Sequence, residues 1–358
     1  MDQDNSTAIQ QQVTQASHDK SVLDIRGGGS KGFYGHAVNG LPLDVTPHRG
    51  ITNYAPEELV LTARAATPLA EIEHALNERG QMLPFEPPHY GDSATLGGTI
   101  ACALSGPRRA AAGAARDFVL GTRLVNGCGH LMSFGGQVMK NVAGYDVSRL
   151  QCGAQGTLGV LLDVSLKVLP RPEQELTLTL AADFSDALTR VATLVGQSLP
   201  ISASCLYDDH LHLRLSGARC ALQAAIKKVG GEHSSQSTTF WQQIKEQQHP
   251  FFSRFAKQAG SRLWRISLPA ATPHLLLDGE WLMEWNGALR WLTSDVSIEQ
   301  VRRVVSNVGG HATLYRGGNN DDARFHPLSD GVAKLHYQLK RAFDPHGILN
   351  PGRIYPSL

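Results

Sequence analysis

The glycine-dense stretch IRGGGSKGFYG, residues 25–35, has the residue types to bind the phosphates of a nucleotide. Glycine tolerates a positive φ, so consecutive glycines can turn successive backbone N–H groups toward one anion. Ser30 and Lys31 could add a hydroxyl group and a positive charge to such an anion nest. The P-loop pattern G-x-x-x-x-G-K-[ST] is missing. The residues therefore indicate either a phosphate-binding loop or an ordinary tight connection.

The literal G-x-G-x-x-G within this stretch raises a Rossmann unit as an alternative. That unit needs a preceding strand, a helix that opens on the third glycine, and an acidic residue about 20 positions onward. SVLDI can form the strand, and Asp44 lies near the expected distance. The helix cannot be placed, because Gly35, Gly40 and Pro42 interrupt every window before LPLDV begins the next strand. The context thus predicts a glycine-rich loop between two strands.

The overall composition argues against several kinds of partner and compartment. Lys and Arg number 33 against 32 Asp and Glu, so no net field recruits nucleic acid or an anionic membrane. No leader-like N-terminal run and no apolar stretch of about 18 residues is present, which predicts a cytoplasmic protein. The five cysteines form no C-x-x-C pair, and we expect reduced thiols without a disulfide, a metal ion or an iron–sulfur cluster.

The elements that would position the glycine loops change character near residue 173. Before it, ELVLTARA and GTLGVLLDVSLKVLP predict strands, and Asn126-Gly127 predicts a hairpin turn within FVLGTRLVNGCGHLMSFGG. ATPLAEIEHALNERG predicts a helix with Thr67 as N-cap, Pro68 at the first helical position and Gly80 at its end.

A different alternation follows. LTLTL, SASCLYD and HLHLRLSG predict strands, whereas FSDALTRVATLVGQ and ALQAAIKKVGG predict helices, an order typical of a ferredoxin-like unit. Then come a hairpin at Asn286-Gly287, the helix SIEQVRRVVSNVGG and the strand ATLYRG. The final helix has one apolar side, formed by Val332, Leu335, Leu339 and Phe343. We divide the chain into a polar segment 1–20, a domain 21–173, an α+β domain 174–328, and a helix and loop 329–358 that return to the first domain.

Three further stretches combine glycine with other small residues. ATLGGTIACALSGPRRAAAGAARDFVLG, residues 94–121, would let a large flat ligand approach the backbone, although Gly and Ala serve tight packing equally well. KNVAGYDVSRLQCGAQGTLGV, residues 140–160, repeats the combination, and GILNPGR, residues 347–353, ends in a Pro-Gly turn. Each stretch alone is weak evidence, and their order along the chain is the signal.

That order is R-G-G-G-[ST], T-L-G-G, R-D-x-V-L-G, K-N-x-x-G-Y-D, G-x-x-G-T-L-G and a terminal D-P-x-G-I-L-N-P-G. It resembles the FAD-linked oxidase superfamily with the vanillyl-alcohol-oxidase (PCMH) type of flavin domain, and most closely the FAD-binding subunits of bacterial glycolate oxidases. The motifs cover residues 22–170 and 343–353. The resemblance implies an α+β fold class, in which a two-subdomain PCMH-type FAD-binding domain carries a ferredoxin-like α+β cap domain.

The resemblance also implies which residues bind FAD. The first loop would wrap the pyrophosphate, the second would lie along the pyrophosphate and flavin, the third would support adenine and ribose, and Asn350 would approach the isoalloxazine ring. The implied cofactor-binding residues are Arg26, Gly27, Gly28, Gly29, Ser30, Lys31, Gly32, Tyr34, Gly35, Thr95, Leu96, Gly97, Gly98, Thr99, Ser105, Gly106, Gly156, Thr157, Leu158, Gly159, Val160 and Asn350. Ser30 stands where many flavinylated relatives have histidine, so we expect non-covalent FAD.

No catalytic residue follows from the resemblance. Relatives that oxidise 2-hydroxy acids have a cap motif G-H-x-G-D-G-N-x-H and a later E-H-G, and the nearest stretch here is YRGGNNDDARFHP, residues 315–327. Such oxidation needs a base for the hydroxyl proton, a cation for the carboxylate and hydride delivery to the flavin. Residues of the right chemical types are His311, His326, Arg316 and Arg324, although a loop histidine is usually just solvated.

The resemblance therefore implies an FAD-carrying subunit of a complex that oxidises glycolate to glyoxylate. A paralogous flavoprotein subunit would hold the main substrate site, and an iron–sulfur subunit would take the electrons. Any contact with the inner face of the cell membrane would be made through these partners. The alternatives are an autonomous FAD-dependent dehydrogenase of another 2-hydroxy acid or alcohol, and a scaffold subunit that has lost its flavin. The intact glycine motifs give the scaffold no support.

Overall fold

Two large antiparallel sheets organise the chain, one in each of two units. The computed structural model describes residues 3–136, 145–255 and 260–358. The first unit comprises the chain up to Leu104, Ala114–Pro170 and Pro327–Leu358, and the second comprises Ser105–Gly113 and Arg171–His326. Each unit has its own buried apolar core.

The first unit is built on a five-stranded sheet whose neighbouring strands are all antiparallel. Its strands, in spatial order, are Ile51–Ala55, Val60–Arg64, Val160–Lys167, Val119–Val125 and Leu131–Gly135. Two short pairs accompany it: Leu23–Arg26 lies parallel to Leu41–Asp44, and Gln81–Met82 lies antiparallel to Leu169–Pro170. No helix lies between Leu23–Arg26 and Leu41–Asp44, which confirms the predicted glycine-rich loop between strands.

The helices of the first unit are Ser6–Asp19, Leu69–Asn77, Leu96–Cys102, Ala115–Phe118, Val147–Leu150 and Asp330–Phe343, with a 3-10 turn at Pro56–Glu58. The predicted helix after Thr67 is confirmed, but it begins one residue later than expected, with Pro68 as its N-cap. The Thr67 hydroxyl is not a helix cap, because it instead accepts from the Gly50 amide at 2.9 Å.

The N-terminal segment is a structured part of the first unit, which corrects its separation as a polar segment 1–20. Ser6–Asp19 is a helix, and it buries Ile9, Val13 and Ala16. This spacing of four and three residues places the apolar side chains on one helical face. They pack in the core that contains Leu43.

The Asn126-Gly127 hairpin is confirmed, with Val125 opposite Leu131. The Asn126 side chain closes the turn, since its Oδ1 accepts from the amides of Cys128 at 3.0 Å and His130 at 2.9 Å. An added Cβ at Gly127 would lie 2.3 Å from Oδ1 of Asp344, so only glycine fits here without a shift.

The second unit is built on an eight-stranded sheet, again antiparallel throughout. Its strands, in spatial order, are Glu232–His233, Gln174–Ala181, His210–Gly217, Ile201–Tyr207, Glu280–Glu284, Leu289–Ser294, Arg262–Ser267 and His311–Arg316. When the first four of these strands are numbered along the chain, their spatial order is 4-1-3-2. This is the order of a ferredoxin-like unit, as predicted.

The helices of the second unit are Arg109–Ala112, Phe184–Gly196, Arg219–Val229, Ser237–Lys245, Pro250–Phe255 and Ile298–Asn307. The predicted helix is confirmed at Phe184–Gly196, and it buries Ala187, Val191 and Leu194 against the sheet. The Asn286-Gly287 hairpin is also confirmed, since Glu284 pairs with Leu289 and Asn286 has a φ of 57°.

Candidate cofactor site

A cavity of about 470 Å³ opens in the first unit beside the glycine-rich loop. This volume lies within the range of small-molecule sites. Of the residues predicted to bind FAD, the structure brings to its wall Arg26, Gly27, Gly28, Gly29, Ser30, Lys31, Gly32, Thr95, Gly97, Gly98, Gly156, Gly159, Val160 and Asn350. Four motifs that are far apart in sequence thus meet at one cavity.

Other predicted site residues do not line this cavity: Tyr34, Gly35, Leu96, Thr99, Ser105, Gly106, Thr157 and Leu158. Leu96 and Thr99 are fully buried because the helix turns Gly97 and Gly98 toward the cavity and these two residues away from it. Ser105 and Gly106 belong to the second unit, where the Gly106 carbonyl accepts from Nε1 of Trp285 at 3.0 Å. Residues 140–144 of the K-N-x-x-G-Y-D motif lie outside the described residues.

The glycine-rich loop presents free donors to the cavity. Within the described part of the chain, the backbone amides of Gly27, Gly28, Gly29 and Ser30 donate no hydrogen bond. Gly29 has a φ of 74°, and its carbonyl accepts from the Gly32 amide at 2.9 Å, which closes the turn. Consecutive unpaired amides at such a turn form an anion nest without a helix.

Two glycines of the site are required by backbone packing and not by approach to a ligand. A Cβ on Gly28 would lie 1.5 Å from the Ser93 carbonyl oxygen. A Cβ on Gly97 would lie 2.7 Å from Cβ of Ala65, to whose carbonyl the Gly97 amide donates. For these positions the alternative of tight packing is correct.

Lys31 lines the cavity, but its ammonium group is held by protein atoms. Nζ donates to the His89 carbonyl at 3.2 Å and to Oγ of Ser30 at 3.3 Å, and it lies 5.8 Å from the centroid of the Tyr90 ring. Its proposed contact with phosphate therefore stays a prediction.

The C-terminal loop ties two of the cavity walls together. Oδ1 of Asn350 accepts from the Ile25 amide at 2.8 Å, and Nδ2 donates to the Gln155 carbonyl at 2.7 Å. Arg353, which the sequence analysis did not select, donates to the carbonyls of Gly32, Tyr34 and His36. Burial lowers the pKa of Arg353, with Cys102 and Asp24 opposing the shift. The Arg at the end of the N-P-G-R motif was the available signal for this residue.

A buried ion pair anchors the same loop and was also missed. Nζ of Lys340 donates to Oδ2 of Asp344 at 2.7 Å, to the Leu349 carbonyl at 2.6 Å and to the Thr157 carbonyl at 2.9 Å. Burial lowers the pKa of Lys340, while Asp344 opposes that shift. The apolar side of this final helix is not its buried side, since Val332 and Leu335 are 42% and 58% exposed.

Two glutamines at the cavity were missed as well. Gln151 and Gln155 are both buried and line the cavity. Nε2 of Gln151 and Oε1 of Gln155 have no hydrogen-bond partner within the described residues. A buried amide without a partner is destabilising. Together with the open amides of the glycine loop, these groups suit a ligand that has both an anionic part and neutral polar edges.

Cysteine chemistry at the cavity is suppressed. Burial raises the pKa of Cys102, which lines the cavity, to about 11 despite the opposing effects of Lys31 and Arg353. Burial also raises the pKa of Cys152 to about 12. Both thiols are therefore protonated at neutral pH and weakly nucleophilic. Over the described ranges, no three His, Cys, Asp or Glu side chains are grouped so that they could hold a metal ion.

The four side chains considered for substrate binding lie in the second unit and do not form one site. His311 and His326 are neighbours, with ring centroids 5.2 Å apart, and burial lowers the pKa of His326. Nδ1 of His326 accepts from the Ala312 amide at 3.2 Å. The two arginines point elsewhere: Arg316 donates to Oε1 of Gln247 at 3.3 Å, and Arg324 donates to the Gly317 carbonyl at 2.6 Å.

A different group of cations in this unit surrounds Trp285. The guanidinium carbon of Arg109 lies 4.4 Å from the centroid of the indole ring, and that of Arg265 lies 5.1 Å from it. Trp285 itself is buried. The sequence carries no pattern that would have singled out Arg265.

No helix among the described residues is both long and apolar enough to span a membrane.

Comparison with known proteins gives three findings. A family model described as FAD binding domain matches residues 4–135. The chain is 51% identical over 355 residues to the glycolate oxidase subunit GlcE of Escherichia coli K12, covering 99% of each chain. It is 28% identical over 229 residues to the glycolate oxidase subunit GlcD of Bacillus subtilis, covering 63% of this chain and 48% of that one.

A solved structure shares the fold. Alkyldihydroxyacetonephosphate synthase superposes with a TM-score of 0.68 at 14% identity, covering 96% of this chain and 75% of the other. The α+β flavin fold and FAD as cofactor are thereby confirmed. The open amides and the unpaired glutamine groups fit FAD, which has a pyrophosphate and two ring systems with polar edges.

Proposed function

We propose that this chain, which belongs to the GlcE family of FAD-linked oxidoreductases, is the FAD-carrying subunit of a multi-subunit complex that oxidises glycolate to glyoxylate. The observation that carries the proposal is its similarity to the Escherichia coli glycolate oxidase subunit along the whole chain. We assign FAD to the domain 21–173 together with the returning segment 329–358, and we assign the cap role to 174–328.

The cavity residues would bind FAD through their backbone more than through charged side chains. The amides of Gly27 to Ser30 would hold the pyrophosphate, and Gly156, Gly159 and Val160 would support the adenine and ribose. Bound FAD supplies a two-electron acceptor for the oxidation of a hydroxy acid. Asn350 and Arg353 would hold the loops around it through their hydrogen bonds to Ile25, Gln155 and His36.

We propose that the main substrate site lies on a paralogous flavoprotein subunit. Two features support this assignment. The hydrogen bonds of Arg316 to Gln247 and of Arg324 to Gly317 hold both guanidinium groups on non-helical residues, and His326 is held by Ala312 and Ser306. The stretch 315–327 also departs from the histidine-rich cap motif of hydroxy-acid oxidising relatives.

We further propose that an iron–sulfur subunit receives the electrons. The five cysteines are dispersed along the sequence and offer no pattern for a cluster, so reduced flavin needs an acceptor on another chain. Contact with the inner face of the cell membrane would be made through these partners, and the chain itself would be cytoplasmic.

Anaerobic reduction of the flavin by glycolate tests the proposal. The purified chain alone should be yellow and should keep its visible flavin absorption after glycolate is added. The chain co-purified with its flavoprotein and iron–sulfur partners should bleach. Rapid and complete bleaching of the chain alone would instead establish an autonomous dehydrogenase.

One observation favours that second candidate. The guanidinium carbon of Arg265 lies 5.1 Å from the Trp285 ring centroid in the second unit, and a guanidinium group is suited to hold a substrate carboxylate. If the chain alone is active, Arg265→Gln should raise KM for a 2-hydroxy acid and leave FAD content unchanged. An unchanged KM would remove this support.

A further inference from the structure

Gln151 and Gln155 are exceptional among the polar residues of the cavity wall. They are 2% and 6% exposed, and neither side-chain amide makes a hydrogen bond to any other described residue. Gln81 shows the ordinary arrangement in the same unit. It is 8% exposed, its Nε2 donates to the Pro56 carbonyl at 2.9 Å, and its Oε1 accepts from the Tyr54 hydroxyl at 2.8 Å.

Hydrogen bonds hold the main chain of both glutamines in place. The Gln155 amide donates to the Ala101 carbonyl at 3.0 Å, and its carbonyl accepts from Nδ2 of Asn350 at 2.7 Å. Gln155 also has a backbone φ of 49°, a value that a non-glycine residue rarely adopts unless its surroundings impose it. The Gln151 amide donates to the Val147 carbonyl at 3.2 Å. These hydrogen bonds hold the main chain at both positions, and both residues line the cavity.

Buried amides without partners need a hydrogen-bonding species from outside the chain, either a ligand or water. The buried unpaired atoms are a donor, Nε2 of Gln151, and an acceptor, Oε1 of Gln155. A phosphate offers acceptors only, so it could satisfy Gln151 but would leave Oε1 of Gln155 unpaired. A neutral heteroaromatic edge that alternates donors and acceptors satisfies both atoms.

We propose that the side-chain amides of Gln151 and Gln155 bind the donor–acceptor edge of one ring system of FAD. Both the imide edge of the isoalloxazine and the aminopyrimidine edge of adenine have this chemistry. The proposal rests on the assignment of FAD to this cavity. It makes the two glutamines positioning residues that distinguish a flavin dinucleotide from other anions that the glycine loop could hold.

Leucine substitutions separate this role from a structural one. Leucine keeps much of the volume of glutamine and removes the unpaired polar atoms, so Gln151→Leu and Gln155→Leu should leave the thermal unfolding midpoint of the FAD-free chain unchanged or higher. Each should weaken FAD binding by about 3- to 10-fold, the effect of one lost neutral hydrogen bond, as measured by calorimetry. Gln81→Leu is the matched control. It should lower the midpoint and leave FAD affinity within about 2-fold.

Binding of FMN and of ADP to the same variants identifies the ring. The proposal holds if the affinity loss appears with one of these two fragments and is absent with the other. An unchanged FAD affinity in both leucine variants would contradict it, because water would then satisfy the amides. An equal loss for both fragments together with a lower unfolding midpoint would also contradict it, since that pattern marks collapse of the cavity. Failure of the wild-type chain to bind FAD would refute the assignment of the cavity itself.

Discussion

The cavity wall of the first unit and the surroundings of Arg290 in the second unit pair their buried polar groups differently, although unpaired buried side-chain atoms occur in both units. In the first unit, the amides of Gly27 to Ser30, Nε2 of Gln151 and Oε1 of Gln155 belong to residues that line the cavity, and they have no partner among the described residues. In the second unit, buried Arg290 donates to the carbonyls of Gly287, Thr272 and Pro273. Since unpaired buried groups are destabilising, their grouping around one cavity in the first unit marks a place where a ligand completes the structure.

Glycine content, by contrast, does not separate the two regions. A Cβ on Gly28 in the first unit would meet the Ser93 carbonyl, and a Cβ on Gly287 in the second would lie 2.4 Å from the Ala270 carbonyl. Both glycines serve the packing of backbone on backbone. Hydrogen-bond pairing, and not glycine itself, therefore distinguishes a ligand site from a tight turn.

The two units can be followed separately in solution. All five tryptophans lie between residues 241 and 291, so intrinsic tryptophan fluorescence reports on the second unit. Bound flavin reports on the first. A variant of one unit that changes the signal of the other would break the comparison between them.

Gly28→Val should have the largest effect. The added Cβ of valine would lie 1.5 Å from the Ser93 carbonyl oxygen, so the glycine loop must move away from Ser93. Overpacking of this severity costs more than about 3 kcal/mol, and FAD affinity should fall by more than about 150-fold. Calorimetry or flavin retained after gel filtration measures the loss.

The matched control for this variant is Gly331→Val, whose added Cβ would meet no atom within 4 Å. It should retain FAD like the wild type. Tryptophan fluorescence should be normal in both proteins. Wild-type affinity in Gly28→Val would mean that the loop is an ordinary turn that tolerates displacement.

Lys340→Met should have the next largest effect. The substitution leaves the Asp344 carboxylate buried without its cation, although the amides of Ile348 and Leu349 still donate to it. Breaking a buried ion pair costs about 3 kcal/mol, and the first unit should lose that much unfolding free energy. Urea unfolding, followed by the flavin fluorescence that changes as FAD is released, measures this loss of unfolding free energy.

Lys334→Met, on the exposed side of the same helix, is the control and should change the urea midpoint of unfolding little. A loss below about 0.5 kcal/mol in Lys340→Met would show that the pair does not hold the C-terminal loop.

The strongly periodic parts of this fold could be predicted from sequence, and the less regular ones could not. Phe184–Gly196 and both Asn-Gly hairpins follow from apolar spacing and turn chemistry. The helix Leu96–Cys102 was missed because two consecutive glycines lower helix propensity. Its formation depends on tertiary packing of Gly97 against Ala65 and on Thr95, whose Oγ1 accepts from the Gly98 amide at 3.2 Å.

The candidate site shows the same division. Motif order predicted most of the residues at the cavity wall, whereas Gln151, Gln155, Arg353 and Lys340 were missed. A polar side chain gives no sign of burial in a sequence, because burial depends on segments that are distant along the chain. That FAD is bound by the residues brought together here stays a prediction until binding is measured.

Acid should destabilise the second unit selectively. Burial lowers the pKa of both His212 and His249 to about 4, from an ordinary value of 6.5. Between pH 6.5 and 4 the unfolded chain therefore takes up protons that the folded chain does not, so stability falls as the pH falls. We expect a loss of about 1 kcal/mol per histidine at pH 5 relative to pH 7, after allowance for partial exposure.

Urea unfolding followed by tryptophan fluorescence at the two pH values measures this dependence. His212→Gln should remove the contribution of this histidine, about 1 kcal/mol, and the exposed His233→Gln should leave the dependence unchanged. An equal acid dependence in His212→Gln and the wild type would assign the effect to other groups.

Ser30→Ala should have the smallest effect, because backbone amides and not this hydroxyl are the donors that the loop offers to phosphate. The Ser30 hydroxyl accepts from Nζ of Lys31 at 3.3 Å, and the loss of this long contact should weaken FAD binding by no more than about 3-fold. Neither serine nor alanine can form a histidyl link to flavin, so acid precipitation should release the flavin of both proteins into the supernatant. Flavin that stays in the washed pellet of both proteins would show a covalent attachment through another residue. An affinity loss above about 100-fold would show that the hydroxyl itself binds the pyrophosphate, and the backbone nest of the first unit would then be only part of its anion site.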